Sequence, residues 1–346
     1  MTAAPAKAPA GSHVAVVGAG SWGTALADLL AGAGHSVRLW CREQQVADQI
    51  AGEGFNRVYF DGHPLNRTRL EATSDLAHAL EGADHVVWVC PAQHTRALLE
   101  RAAPHLRPDA LIVSGTKGIE VPSVCRMDEL FEEVLGARAA SRFAVLSGPS
   151  FAGEVARGTP TAVVVAAADP QDRRAAQALF QTDRFRVYTN PDVVGVELGG
   201  ALKNVIAVAA GVVSGLDMGH NTAAALITRG LAEMTRLGTA MGAAAATFSG
   251  LAGMGDLVLT CTGAQSRNRT VGERLGRGES LASILEGANS VAEGVATARA
   301  VRSLAERHNV EMPISEEVYR ILVEEADPRD AVHRLMTRAP KSEVWA

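Results

Sequence analysis

The loop Gly18-Ala-Gly-Ser-Trp-Gly23 follows an apolar run, His13–Val17, and opens a helical pattern that reaches about Ala33. A second apolar run, Ser36–Cys41, then closes a complete strand–helix–strand unit. Glycines punctuate many turns, but here the motif has a strand before it, a helix after it and a second strand closing the unit. Gly18 permits a tight turn, Gly20 lets a ligand come close to the backbone, and Gly23 lets helix and strand pack together. The start of the helix offers unpaired N–H groups and a partial positive charge, which suit phosphate. The loop therefore predicts a dinucleotide site.

Further apolar runs extend the pattern: Asp84–Cys90, Ala110–Ser114, Phe143–Leu146, Thr161–Ala167 and Phe185–Tyr188. Strands alternating with helical stretches predict an α/β fold of Rossmann type with a parallel sheet. After about Asn190 the strand-like runs stop, and helical stretches between glycine-rich turns continue to the end. A chain of 346 residues is too long for one ordinary core. We expect a nucleotide-binding domain over 13–190 and a mostly α-helical substrate and catalytic domain over 191–338. Segments 1–12 and 339–346 read as tails, the first of them disordered.

Net charge is −5 with no block of like charges, so the basic face of a nucleic-acid binder is missing. Cys41, Cys90, Cys125 and Cys261 form no CxxC pair and have no histidine at ligand spacing, which predicts structural thiols and no metal. The N-terminus lacks the apolar core of a signal peptide. The nearest approach to a membrane span, Val205 to Leu216, reads as too short. These features together predict a soluble, cytoplasmic protein that acts on a small molecule.

The end of the second strand bears on the choice of cofactor. Arg42 there suits a ribose 2′-phosphate and favours NADPH, while Glu43, one residue on, offers the opposing role towards NADH. Lys117 follows a strand in Ser114–Glu120, where open α/β sheets bind ligands. Gly148, Ser150 and Ala152 follow the next strand. Lys203 lies in an apolar helix, Gly199–Gly211, where desolvation would bring its pKa towards neutrality and equip it for proton transfer. Asp256, in Gly250–Leu257, is placed to orient Lys203 or a substrate hydroxyl, or to cap a helix. Ser266, Arg267 and Asn268 combine a donor fork, a hydroxyl and an amide, a mixture that suits phosphate or pyrophosphate, although Ser and Asn are also common helix caps.

Taken together, GAGSWGTALA, SGTKGIE, SGPSFAGE, GALKNVIAVAAGVVSGLDMGHNTAAAL, GLAGMGDLVLTCT, QSRNR and VAEG resemble the bacterial, soluble NAD(P)-dependent sn-glycerol-3-phosphate dehydrogenases from His13 to about Ala331. The resemblance implies a 6-phosphogluconate dehydrogenase-like arrangement of the two domains. It also implies reduction of dihydroxyacetone phosphate to sn-glycerol 3-phosphate for phospholipid synthesis. By motif, Lys203 would be the proton donor and acceptor, and Lys117 would contact both cofactor and substrate. Gly148, Ser150, Asp256, Ser266, Arg267 and Asn268 would bind substrate. Ser21, Trp22, Arg42, Ala152, Arg267, Val291 and Glu293 would bind the dinucleotide. The helical domain's apolar faces make a homodimer plausible. The rivals are an enzyme of the same architecture acting on another hydroxy acid and a catalytically silent NADPH sensor. The Gly200–Leu226 signature opposes the first, and the presence of both lysines opposes the second.

Overall fold

The computed structural model describes residues 11–137, 142–286, 292–340 and 342–343. Eight strands form one sheet: β1 (His13–Val17), β2 (Ser36–Trp40), β3 (Leu70–Thr73), β4 (His85–Trp88), β5 (Leu111–Ser114), β6 (Phe143–Ser147), β7 (Thr161–Ala166) and β8 (Phe185–Asn190). Their spatial order is β3-β2-β1-β4-β5-β6-β7-β8. The helices of this half are α1 (Ser21–Gly32), α2 (Gln44–Glu53), α3 (Leu76–Leu80), α4 (Ala92–Ala102), α5 (Met127–Leu135), α6 (Ala152–Ala156) and α7 (Pro170–Phe180). Successive side chains of a strand point to opposite faces. Val14 and Val16 accordingly join one core and Ala15 and Val17 the other, so β1 is covered on both sides.

Two features depart from the sequence expectation. β3 escaped notice because Leu-Glu-Ala-Thr has one buried residue and no apolar run. The sheet is also not wholly parallel, since β7 runs antiparallel to β6 while pairing in parallel with β8. The link from β6 to β7 carries the short α6, which packs on α1.

The remaining helices are α8 (Val193–Gly215), α9 (Gly219–Ala240), α10 (Ala245–Phe248), α11 (Asp256–Thr262), α12 (Arg267–Gly276), α13 (Leu281–Leu285), α14 (Glu293–Arg307), α15 (Pro313–Val323) and α16 (Pro328–Met336). At 23 residues, α8 is long and apolar enough to cross a membrane by length and composition, which corrects the reading of Val205–Leu216 as a short stretch. Its most apolar window is 89% buried within the protein, with α9, α11, α12, α14 and α15 packed around it. A helix that is apolar all round is one that others enclose.

Glycines set how closely that enclosure packs. A Cβ at Gly211 would lie 2.0 Å from the Arg269 carbonyl oxygen, and one at Gly272 would lie 1.9 Å from that of Val208. Glycines on both helices thus let the α8 and α12 backbones touch. Cys41, Cys90 and Cys261 are buried, and desolvation pushes each thiol up to about 12.

Candidate active site

β1 and β4 are neighbours whose connections leave to opposite sides, so a crevice opens beyond their carboxyl ends. The glycine loop lies there. Gly18 has φ +116°, and a Cβ on Gly23 would sit 1.8 Å from the Gly18 carbonyl oxygen. Gly20 differs: it is exposed, and a Cβ there would meet nothing within 4 Å. The loop is therefore closed against the protein at Gly18 and Gly23 and open at Gly20, where a pyrophosphate would approach. Ser21 donates to the Tyr59 carbonyl, and the buried Trp22 Nε1 has no partner among the described residues.

At the end of β2, Arg42 is exposed and pairs with Glu43, whose carboxylate also accepts from the Tyr59 hydroxyl at 3.0 Å. Both candidate readers of the ribose are thus in contact with each other.

The second domain supplies the other wall. α8 reaches it through two glycines: a Cβ on Gly199 would lie 2.5 Å from the Ala252 carbonyl oxygen, and one on Gly200 would lie 2.9 Å from Ser147 Oγ. One turn further on, Lys203 is 6% exposed. It donates to Asp256 Oδ1 at 2.8 Å and to Thr260 Oγ1 at 2.7 Å. Asp256 follows a single π-helical turn, Leu251–Gly255, of the kind often found at functional sites. From the loop after β5, Lys117 donates to Asp256 Oδ2 at 2.7 Å and to the Gly148 carbonyl at 3.1 Å. One buried carboxylate therefore holds two ammonium groups, one from each domain, leaving one net positive charge.

Burial fixes the protonation chemistry. Desolvation lowers the Lys203 pKa to about 8, opposed by Asp256 and assisted by Lys117. For Asp256, burial favours the neutral acid, but the two lysines outweigh it and hold the pKa below its usual value. Asp256 stays ionised, while Lys203 changes state near neutrality.

The other predicted positions fall into three groups. Gly148 spends its carbonyl on Lys117 and on Ser150 Oγ at 3.0 Å, and Ala152 begins α6, which packs on α1. Ser266 caps α12 by accepting from Arg269 N, so its hydroxyl is engaged in the helix start. Asn268 is buried, donates to Asn204 Oδ1 at 2.9 Å and accepts from Gly294 N at 2.9 Å. Arg267 is exposed and makes no hydrogen bond or ion pair with the described residues. Desolvation in its crowded surroundings nonetheless lowers its pKa, with Glu293 opposing. Glu293 begins α14 and accepts from Ala92 N at 3.3 Å, while Oε2 is a buried oxygen without a hydrogen-bond partner among the described residues. Burial raises its pKa to about 7. Val291 lies outside the described residues.

Sequence reasoning assigned no role to Thr260, Asn204, Asn56 or Tyr59. Thr260 was reachable, because it stands four residues after Asp256 and so shares its helical face. Asn204 donates to the Lys117 carbonyl at 3.3 Å, a contact between residues 87 positions apart that no local pattern reveals.

A mostly parallel sheet with an open glycine loop, joined to a helical domain bearing a buried lysine–carboxylate pair, defines the class of two-domain nicotinamide-dependent dehydrogenases. Residues 13–173 match the NAD-dependent glycerol-3-phosphate dehydrogenase N-terminus, and residues 192–333 match the C-terminus of the same family. Similar proteins include glycerol-3-phosphate dehydrogenase [NAD(P)+] of Geobacter sulfurreducens, 54% identical over 96% of this chain and 99% of that one. The enzyme of that name from Koribacter versatilis is 51% identical over 96% and 99%. The crystal structure of glycerol-3-phosphate dehydrogenase from Coxiella burnetii is 42% identical, covers 95% of this chain and 100% of that one, and superposes with a TM-score of 0.90. The chain belongs to the NAD-dependent glycerol-3-phosphate dehydrogenase family.

Proposed function

We propose that this protein reversibly reduces dihydroxyacetone phosphate to sn-glycerol 3-phosphate with NADPH in preference to NADH. We take 13–190 as the unit that binds the dinucleotide and 191–338 as the unit that binds substrate and carries the acid–base group. The observation that carries the reading is the bridge Lys117–Asp256–Lys203 at the seam between them. When bound, the nicotinamide supplies the hydride that adds to C2 of the ketone.

As that bond forms, negative charge develops on the carbonyl oxygen. Lys203 Nζ gives it a proton, and Lys117 stabilises the charge electrostatically. Asp256 remains ionised and holds both ammonium groups in place. In the reverse direction, neutral Lys203 takes the hydroxyl proton as C2 loses its hydride. Arg267, whose donor fork makes no hydrogen bond among the described residues, is the group best suited to the substrate phosphate. Ser266 and Asn268 fix the start of α12, whose first-turn N–H groups have no helical acceptors. On the cofactor side we place Gly18, Gly20, Ser21, Trp22, Gly23, Arg42, Ala152 and Glu293, with Lys117 and Arg267 reaching both ligands.

A spectrophotometric assay with dihydroxyacetone phosphate tests the reading, run with NADPH and with NADH. Absence of turnover with either cofactor would overturn it. Because Arg42 is exposed and can turn from Glu43 to a 2′-phosphate, Arg42→Ala should raise KM for NADPH about tenfold more than KM for NADH. Equal effects would remove Arg42 from cofactor choice. We further take the glycerol 3-phosphate formed to serve phospholipid synthesis, and the protein to act in the cytoplasm. The half-buried apolar residues Leu226, Ile227 and Leu231 of α9 support a homodimer, which sedimentation would check.

A further inference from the structure

Between α2 and β3 the chain makes a closed loop whose ends meet where Leu65 N donates to the Gly54 carbonyl at 2.9 Å. Such Ω-shaped loops are compact and commonly functional. This one sits on the dinucleotide-binding turn. Asn56, 0% exposed, donates through Nδ2 to the Ala19 carbonyl at 2.8 Å and to Thr24 Oγ1 at 2.8 Å. Its Oδ1 accepts from Tyr59 N at 3.1 Å, and the Tyr59 carbonyl in turn accepts from Ser21 Oγ. Ala19 and Ser21 flank Gly20, the open position of the turn, so the loop grips both of its neighbours. A separate attachment lies farther along α1, where Asp28 accepts from Asn66 N at 2.7 Å and meets His63 Nε2 at 2.9 Å.

We propose that Asn56 is a positioning residue for the nicotinamide dinucleotide: it holds the glycine turn in its binding conformation from outside, without touching the ligand. The proposal rests on the cofactor assignment made above. A turn that must be glycine-rich for close approach has little intrinsic order, because glycine has the widest conformational freedom. A flexible turn would have to be ordered when the pyrophosphate binds, which weakens affinity. Asn56 supplies that order beforehand. Its buried amide suits the task because one side chain both donates to the turn and accepts from the loop.

Asn56→Ala should weaken NADPH binding about tenfold, read as Kd by calorimetry or cofactor fluorescence on the apo-protein. KM for dihydroxyacetone phosphate and kcat at saturating cofactor should change less than about twofold. Asn56→Asp keeps the acceptor for Tyr59 N but sets a carboxylate oxygen against the Ala19 carbonyl, and should weaken binding at least as much. His63→Ala loosens the same loop at its other attachment. It should lower Tm while leaving the NADPH Kd within about twofold, since fully positioned turn contacts remain. An unchanged Kd in folded Asn56→Ala, or an equal loss in His63→Ala, would overturn the proposal. If Asn56→Ala fails to fold, Thr24→Val removes one of its partners and should raise Kd about threefold, and no change would count against it. Failure of the wild-type protein to bind NADPH or NADH would instead refute the cofactor assignment.

Discussion

At the scale of single residues, the arrangement turns on Lys203. Burial disfavours its charged form and Asp256 restores part of it, leaving a pKa of about 8, well below that of a solvated lysine. The sign of the pH dependence follows. Reduction needs protonated Lys203, so kcat for ketone reduction should fall as pH rises through about 8. Oxidation needs the neutral amine and should rise through the same range. Lys203→Ala should lower kcat in both directions by about a thousandfold or more while NADPH Kd stays nearly constant. Near-normal kcat in that variant, measured beside a direct binding titration, would remove Lys203 from proton transfer. Lys203 was legible as a cation inside an apolar helical pattern. Its partner could not be paired with it from sequence, because Asp256 stands 53 positions away and local periodicity carries no information about such contacts.

At the scale of elements, glycine placement decides which helices may touch. Gly211 and Gly272 bring α8 and α12 to backbone contact, while Gly199 and Gly200 bring α8 to the π-helical turn and to β6. Gly211→Ala must therefore either separate two helices or distort one. It should destabilise the protein by about 3 kcal/mol, measured by urea unfolding, with an m-value close to wild type. A shift in midpoint equivalent to less than about 0.5 kcal/mol would show that the α8–α12 contact yields easily. The strands and α1 were legible because buried parallel strands read as continuous apolar runs. β3 was not, since an edge strand with one buried residue leaves too weak a signal. The polar cluster Ser266–Asn268 was visible, but its division of labour was not. Ser266 caps, Asn268 ties α12 to α8 and α14, and only Arg267 is left uncommitted among the described residues.

At the scale of the whole molecule, the site belongs to neither domain alone. Lys117 comes from the sheet half, and Lys203 and Asp256 come from the helical half. Glu293 of α14 reaches back to Ala92 at the start of α4. Cofactor binding should therefore stabilise both halves together. NADPH at about 100 times its Kd should add roughly 2.7 kcal/mol to unfolding and raise a single transition. Two calorimetric transitions, only one of which moves, would show that the halves unfold independently.

The glycine turn, the alternation of strand and helix and the change to helices after Asn190 are local patterns, readable directly from the order of residues. The sequence also supplied the two lysines, the carboxylate and the family motifs. Tertiary structure decided what those residues do to one another. It set one carboxylate between two ammonium groups, buried Lys203 deeply enough to lower its pKa, and left Arg267 without a hydrogen bond among the described residues while committing its neighbours. It also laid a loop from beyond α2 over the glycine turn at Gly18–Gly23. The physical reason is range: backbone preferences and hydrophobic periodicity act over a few residues. Desolvation, charge pairing and close backbone approach depend on which distant segments the fold brings within a few ångströms.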